Sequence, residues 1–285
     1  LACLASVSEL DYADYRVLLV DNASDDGTAV TVKSRYPGTI VIRNEQNLGY
    51  AEGNNVGIRY ALDHGYDYVY IMNNDTIVDS ACLRSLVFDI QSEERIAAVA
   101  PMSFFYDLPG VIHFAGGRIG PGGETIHEGI GDLYDAGRWA PHDTEWLTGC
   151  AILFKSSALR EVGLFDPQYF LLFEDVDWSL RARKIGARLR IVPDARLWHK
   201  VSPSFGGGWS AKYHYYYIRN HLRLIQLHHD RGSRLPKYFG TIRSSHRIIR
   251  HQVKGMSLEA RFSRWKAMLQ GIADFARQRF GERKS

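Results

Sequence analysis

Short apolar runs alternate with amphipathic stretches along the first part of the chain. Arg16-Val-Leu-Leu-Val20 is a continuous apolar run that stops at Asp21 and a turn-rich cluster, Asn22-Ala-Ser-Asp-Asp-Gly27, before a helical pattern. A run of that length bounded by turn residues predicts a buried strand feeding a helix. The unit recurs, with a strand over Thr39–Arg43, a helix over Ala51–Asp63 closed by Gly65, and a strand over Tyr68–Met72. Strand alternating with helix predicts an α/β fold whose parallel sheet is covered on both faces. Ligands of such sheets bind beyond the carboxyl ends of the strands, and both Asp21 and Asn73-Asn74-Asp75 fall at such ends.

The periodicity weakens from Pro101 to Trp146, where Gly116-Gly117 and Gly120-Pro-Gly-Gly123 predict short strands and loops shaping a cleft. It returns as a strand over Cys150–Phe154, a short helix over Ser156–Val162, a helix over Glu174–Ile185 and a strand over Arg188–Val192. Arg196-Leu-Trp-His199 and the loop Ser202–Gly208 follow, the latter with hinge-like glycines that suit a lid. From Lys212 the pattern is helical, with breaks expected near Gly232–Pro236 and at Gly255. The last helix, Leu258–Phe280, places Phe262, Trp265, Leu269, Ile272 and Phe275 on one face, ringed by arginine and lysine. Packing on a core is the first reading of that face, ahead of a membrane surface. The chain opens as a helix, Leu1-Ala-Cys-Leu-Ala-Ser6, so the first strand of a doubly wound sheet is not evident.

Composition narrows the class. A chain of 285 residues, 45% of them hydrophobic, is long enough for a full core, which excludes a disordered or fibrous protein. The longest apolar stretch, Ile96–Tyr106, is interrupted by Pro101 and Ser103 and falls short of the roughly 18 residues a spanning helix needs. The polar residues Ser6, Ser8, Glu9 and Asp11 argue against a signal peptide. Cys3, Cys82 and Cys150 have no metal-ligand spacing, so neither a disulfide framework nor a cysteine zinc site is expected, and a cytoplasmic setting is. Residues 1–211 hold 18 Lys+Arg against 28 Asp+Glu, a balance of −10, while residues 212–285 hold 17 against 4, a balance of +13. The acidic part has carboxylates to spare for a cation. The basic tail suits an anionic partner, although such runs are as often plain solvated faces.

Three groups of residues carry the candidate chemistry. Asp75 after one strand and His199 after another form an N/O pair suited to Mn2+ or Mg2+, with nitrogen favouring Mn2+. Singly, each has an ordinary reading, the aspartate as a turn or cap residue and the histidine as a structural ring beside Trp198. Glu174, Asp175 and Asp177 follow the apolar run Phe170-Leu-Leu-Phe173, and an apolar wall raises a carboxylate pKa towards that of a useful base. Helix capping accounts for one of these acids but not for all three.

Six segments together resemble the family 2 glycosyltransferases: Val20-Asp-Asn-Ala-Ser-Asp-Asp-Gly27, Asn47-Leu-Gly-Tyr-Ala-Glu-Gly-Asn-Asn-Val-Gly57, Asn73-Asn-Asp-Thr76, Gly163-Leu-Phe-Asp166, Phe173-Glu-Asp-Val-Asp-Trp178 and Trp198-His199. Their order and spacing also match, over roughly residues 2–220, and the nearest branch is the rhamnosyltransferase-like enzymes of bacterial surface polysaccharides. The resemblance implies a GT-A fold, a nucleotide-binding, mostly parallel sheet flanked by helices, over residues 1–211, with a basic helical extension over 212–285. It implies an inverting transfer of a sugar, with rhamnose a candidate, from a nucleotide-diphosphate donor to a glycan or lipid-linked acceptor, with a divalent metal. Asp21 would then contact the nucleobase, Asn47, Asn55 and Asn74 would line the donor site, and Arg219 would reach a phosphate. Asp75 and His199 would hold the divalent metal, Asp175 would be the base, and Glu174 and Asp177 would orient the base or acceptor. Peripheral contact with the inner face of a cell membrane is expected, nucleic acid is not, and oligomeric state is left open. A nucleotidyltransferase would show a glycine-rich phosphate loop near a basic residue, which is not evident. The remaining alternative is a non-catalytic binder of nucleotide sugars or polyanions.

Overall fold

The computed structural model describes residues 1–200, 210–252 and 257–283. The expected lid loop, Ser202–Gly208, lies outside the described residues. The chain begins with α1 (Ala2–Ser8), β1 (Leu18–Asp21), α2 (Thr28–Arg35), β2 (Ile40–Arg43), α3 (Gly49–Asp63), β3 (Tyr68–Met72), β4 (Thr76–Val78) and α4 (Cys82–Ser92). There follow β5 (Ile96–Phe105), β6 (Leu108–Phe114), β7 (Gly117–Ile119), β8 (Thr125–His127), β9 (His142–Asp143), β10 (Ala151–Lys155), α5 (Ser156–Val162), α6 (Glu174–Lys184) and β11 (Arg188–His199). Three helices close it, α7 (Ala211–His228), α8 (Arg231–Gln252) and α9 (Leu258–Ala276).

Two compact units divide these elements. The first comprises Leu1–Arg118, His127–Pro167 and the stretch from Glu174 to the end of β11. The second comprises Ile119–Ile126, Gln168–Phe173 and the helices α7 to α9 with the residues after them. It therefore takes in two short segments from the middle of the chain as well as the basic tail.

The first unit is α/β. Its main sheet has the order β3-β10-β5-β11-β4, with β6 on β5 and β9 on β11, while β1 and β2 pair in parallel as a separate ribbon. β5 and β11 are parallel neighbours. β10 runs antiparallel to both β3 and β5, so β3, β5 and β11 point the same way with a reversed strand between the first two. The apolar runs could not reveal that reversal, because a strand buried on both faces reads the same in either direction. The longest apolar stretch of the sequence is the central strand β5, buried along all but its last residue. Pro101 is tolerated there because it falls between the β10 pairing, which ends at Val99, and the β6 pairing, which starts at Ser103. The expected strands around Arg188 and Arg196 are one strand, irregular in register between Val192 and Arg196.

Packing follows from side-chain size. α4 lays Leu83, Leu86, Val87 and Ile90 on Ile96 and Val99 of β5 and Val192 of β11. α3 lies close on β1 because of its glycines: a Cβ on Gly57 would meet Val20 Cγ2 at 3.1 Å, and one on Gly53 would meet Asn22 Nδ2 at 3.0 Å. The three cysteines are buried and in no disulfide.

In the second unit, Ile218 and Leu222 of α7, Ile249 of α8 and Met268 of α9 form a small core with Tyr238, Trp265, Ile272 and Phe275 against it. Gly271 permits that packing, since a Cβ there would come within 2.6 Å of Ile218 and 2.7 Å of the Tyr215 carbonyl. Two expectations are corrected here. The break expected near Gly232–Pro236 falls slightly earlier, at His229–Asp230 between α7 and α8, and α8 then continues through Pro236. The predicted apolar face of α9 is split: Trp265, Ile272 and Phe275 pack inward, whereas Phe262 and Leu269 are 71% and 61% exposed. Among the described residues, no helix is long and apolar enough to cross a membrane.

Candidate active site

The turn between β3 and β4 carries Asn73, Asn74 and Asp75. Pairing of β11 with β4 sets His199 opposite Thr76, and this register brings His199 Nε2 to 3.2 Å from Asp75 Oδ1. The Lys200 amide donates to the Asp75 carbonyl at 2.9 Å and the Thr76 hydroxyl to the Asn73 carbonyl at 2.6 Å, so the turn is held at both ends. His199 Nδ1 has no hydrogen-bond partner among the described residues. Its ring lies 5.1 Å from that of His113, which sequence reasoning missed. Burial pushes His113 down to about 3, with His199 and His127 close by adding to the effect, so His113 stays neutral.

One carboxylate and one imidazole meet the requirement for a Mn2+ or Mg2+ ion that takes its remaining ligands from phosphate oxygens and water. Among the described residues there is no cluster of three or more His, Cys, Asp or Glu able to hold a metal.

The acidic group lies at the start of α6. Asp175 Oδ2 accepts the Gly149 amide at 2.6 Å and Oδ1 accepts the Val176 amide at 2.8 Å. Burial raises the Asp175 pKa and these backbone donors oppose the rise. Glu174 is buried more deeply, and burial, with Asp175 adjacent, raises its pKa well above the ordinary carboxylate value. Of the two adjacent carboxyls, burial therefore disfavours the charged form of Glu174 the more strongly, while Asp175 keeps backbone donors that favour its anion. Asp177 points elsewhere: its Oδ2 accepts from Arg181 Nε at 2.8 Å, and Arg181 also donates to the carbonyls of Val162 and Leu164. It is a strut between α6 and the loop after α5.

The segment Thr148–Cys150 joins the two groups. Gly149 donates to Asp175, and the Cys150 carbonyl accepts from the Asn73 amide at 2.9 Å, at the head of the Asp75 turn. The Tyr50 hydroxyl donates to the Gly149 carbonyl and fixes the peptide on the other side of that glycine. Burial, with Glu174 and Asp175 nearby, raises the Tyr50 pKa well above its usual value and keeps the donor proton in place. Tyr50→Phe frees this carbonyl and loosens the amide that stabilises the Asp175 anion. A hydrogen bond of about 1 kcal/mol corresponds to a roughly fivefold loss in kcat. The acid limb of the rate profile is expected to move to higher pH with donor affinity unchanged. In an Asp175→Asn background the same change is expected to have no further effect, which a general loss of structure would not reproduce.

The remaining predicted residues serve the framework more than an open cleft. Asp21 is buried, with Oδ2 at 2.9 Å from Arg43 Nη1 and Oδ1 accepting the Ser24 amide. Asn47 Oδ1 accepts from Asn22 Nδ2 at 3.0 Å and from the Gly49 amide at 2.9 Å. Asn22, which sequence reasoning did not single out, is the hub of that loop, also bonding the Gly49 carbonyl, the Leu48 amide and Asn44. Asn55 is buried and makes a two-way pairing with the Phe165 backbone at 2.9 and 3.1 Å. Asn74 is exposed at the turn beside Asp75.

Arg219 belongs to the second unit and is fully buried. Its guanidinium donates to Asn220 Oδ1, the Tyr215 hydroxyl and the carbonyls of Gly281, Gln168 and Tyr169. Those five bonds use every donor a guanidinium has, which leaves none for a phosphate and corrects the expected role. Asn220 Nδ2 holds the carbonyls of Tyr169, Leu171 and Leu172 at 2.8 to 3.0 Å. Between those carbonyls Phe170, Leu172 and Phe173 have φ of 60°, 71° and 72°, a left-handed backbone costly for side chains of this size. The Arg219-Asn220 pair thus stabilises a strained segment that leads directly into Glu174.

An α/β sheet with an acid and a histidine beyond its strand ends, and a buried carboxylate pair at a helix start, is the architecture of the GT-A glycosyltransferases. Glycosyl transferase family 2 matches residues 1–163, more than half of the chain, and the chain belongs to that family. It is 29% identical over 225 residues to the N-acetylglucosaminyl-diphospho-decaprenol L-rhamnosyltransferase of Mycobacterium tuberculosis, covering 71% of this chain and 72% of that one. It is 26% identical over 214 residues to the poly-beta-1,6-N-acetyl-D-glucosamine synthase of Staphylococcus aureus, covering 73% of this chain but only 48% of the synthase. Among solved structures, S. aureus TarS 1-349 in complex with UDP-GlcNAc superposes with a TM-score of 0.60 at 15% identity, over 95% of this chain and 75% of TarS. The mannosyltransferase PcManGT from Pyrobaculum calidifontis, in complex with GDP-Man and Mn2+, gives 0.57 at 16% identity over 97% and 81%. The chain is a glycosyltransferase.

Proposed function

We propose that this glycosyltransferase is metal-dependent and inverting, and moves a sugar, rhamnose foremost, from a dTDP or UDP donor to a hydroxyl of a glycan or lipid-linked acceptor in surface-polysaccharide synthesis. The carrying observation is the Gly149–Cys150 segment, which links the Asp175 carboxylate to the turn bearing Asp75 through two backbone hydrogen bonds. A displacement in one step needs the acceptor deprotonated and the leaving group neutralised at a fixed separation, and a shared backbone support supplies that separation. Asp175 takes the acceptor proton at its carboxylate. Glu174, kept neutral by burial, adds no second negative charge beside it. Asp75 and His199 would hold Mn2+ or Mg2+, which neutralises the charge developing on the departing diphosphate. Asn74, exposed at the turn beside Asp75, lines the donor site. The rhamnosyltransferase relative supports the sugar and the lipid-linked acceptor, and an acceptor in a membrane calls for peripheral contact with that membrane.

A thermal-shift screen of nucleotide sugars, followed by hydrolysis with and without Mn2+, tests this reading. A bound donor at a hundred times its Kd stabilises the fold by about 2.7 kcal/mol. Donor hydrolysis that requires Mn2+ is expected; binding without hydrolysis or transfer identifies a non-catalytic binder.

A further inference from the structure

α8 presents a solvent face with no acidic residue. Leu235, Phe239, Arg243, His246 and Arg250 are all exposed and recur every three or four positions, the spacing of one helical face, with Pro236 and Arg247 exposed beside them. The adjoining face packs inward through Tyr238, Ile242 and Ile249. Leu235 and Phe239 are 66% and 70% exposed one turn apart, so the first part of the face is apolar and the remainder basic. Residues 231–252 include six Lys+Arg and no Asp or Glu. Arg231, Arg243, Arg247 and Arg250 form no hydrogen bond or ion pair with any described residue, and the residues not described contain no Asp or Glu.

We infer that this face of α8 docks the second unit on an anionic lipid bilayer, with Leu235 and Phe239 entering the headgroup boundary and Arg243, Arg247 and Arg250 meeting lipid phosphates. The inference deepens the peripheral-membrane reading and rests on it. Four guanidiniums without counter-charge call for an anionic partner, and each basic residue near an anionic surface contributes attraction that salt weakens. The leucine and phenylalanine distinguish the partner: a nucleic-acid backbone has no use for exposed apolar side chains, whereas a bilayer boundary accepts them. Sequence periodicity pointed to α9 for this role, but α9 carries Glu259 and Asp274 and commits its tryptophan to the core.

Co-sedimentation of the full chain with phosphatidylcholine vesicles, with and without phosphatidylglycerol, tests the inference. Wild type is expected to bind only the anionic vesicles, and less at high salt. Arg243→Gln, Arg247→Gln and Arg250→Gln combined are expected to lower the partition coefficient about 10²-fold, and Leu235→Ser with Phe239→Ser about tenfold or more. Donor-induced thermal shifts, unchanged in both variants, confirm that they fold. Binding of wild type to neither kind of vesicle overturns the membrane reading itself, and equal binding to both overturns the anionic docking by α8. Anionic binding that both variants retain places the docking surface elsewhere and overturns only the assignment to α8. Duplex DNA bound as tightly as anionic vesicles, with no effect of the Phe239 variant, marks a general polyanion face and also overturns it.

Discussion

Asp175→Asn is expected to leave donor affinity near wild type and lower kcat by at least about 10²-fold. A general base contributes about 10²–10⁴-fold, because an acceptor hydroxyl with a pKa far above neutrality attacks well only while a group removes its proton. Asn keeps the shape but exchanges one acceptor oxygen for an NH2 group, so either the Gly149 or the Val176 amide loses its partner, at about 1–3 kcal/mol. Removing a buried negative charge beside Glu174 offsets part of that cost, and the variant is expected to fold. The pH profile gives a second readout. Asp175 must be ionised to act, and its pKa is raised, so wild-type turnover is expected to fall on acidification at a higher pH than for an ordinary aspartate. That limb is expected to vanish in the Asn variant. Normal transfer by Asp175→Asn would falsify the assignment and direct attention to Glu174.

Asp75→Ala is expected to remove the metal-dependent part of donor binding, about 10²-fold in affinity for the nucleoside diphosphate, and His199→Ala to weaken it about tenfold. A bound metal contributes several kcal/mol to neutralising phosphoryl charge, and each 1.4 kcal/mol corresponds to a factor of ten. The aspartate carries the larger effect because it supplies charge as well as a ligand atom. Calorimetric titration of UDP and dTDP with and without Mn2+ measures this independently of turnover. If both variants keep the full Mn2+ enhancement, the Asp75–His199 contact is structural and the cation is held elsewhere.

Much of the candidate site was legible because the chemistry sits at punctuation marks in the pattern. Asp75 follows an apolar strand, the Glu174–Asp177 group opens a helix, and His199 closes a strand. The supports of these groups were not legible. Tyr50 is one aromatic in a helix, yet its hydroxyl meets a carbonyl 99 positions away. Gly149 contributes only its backbone, which no residue pattern records. His113 reaches the neighbourhood of His199 through β6 pairing with β5 beside β11, a proximity set by strand order. Arg219 was misread because an arginine suits a phosphate and a strained backbone equally well; five backbone and side-chain acceptors at bonding distance decided between them.

By itself the sequence determined the class of fold, many of the elements and the chemical types at the strand ends, because burial periodicity and turn residues act over a few positions and are written locally; it did not give β4, α4 or the central strand β5. Strand direction, the partition of Phe262 and Leu269 to the outside of α9, and the separation of Asp177 from Asp175 were decided by the tertiary structure. Each depends on which distant surface a side chain meets, and a local pattern holds no record of that surface.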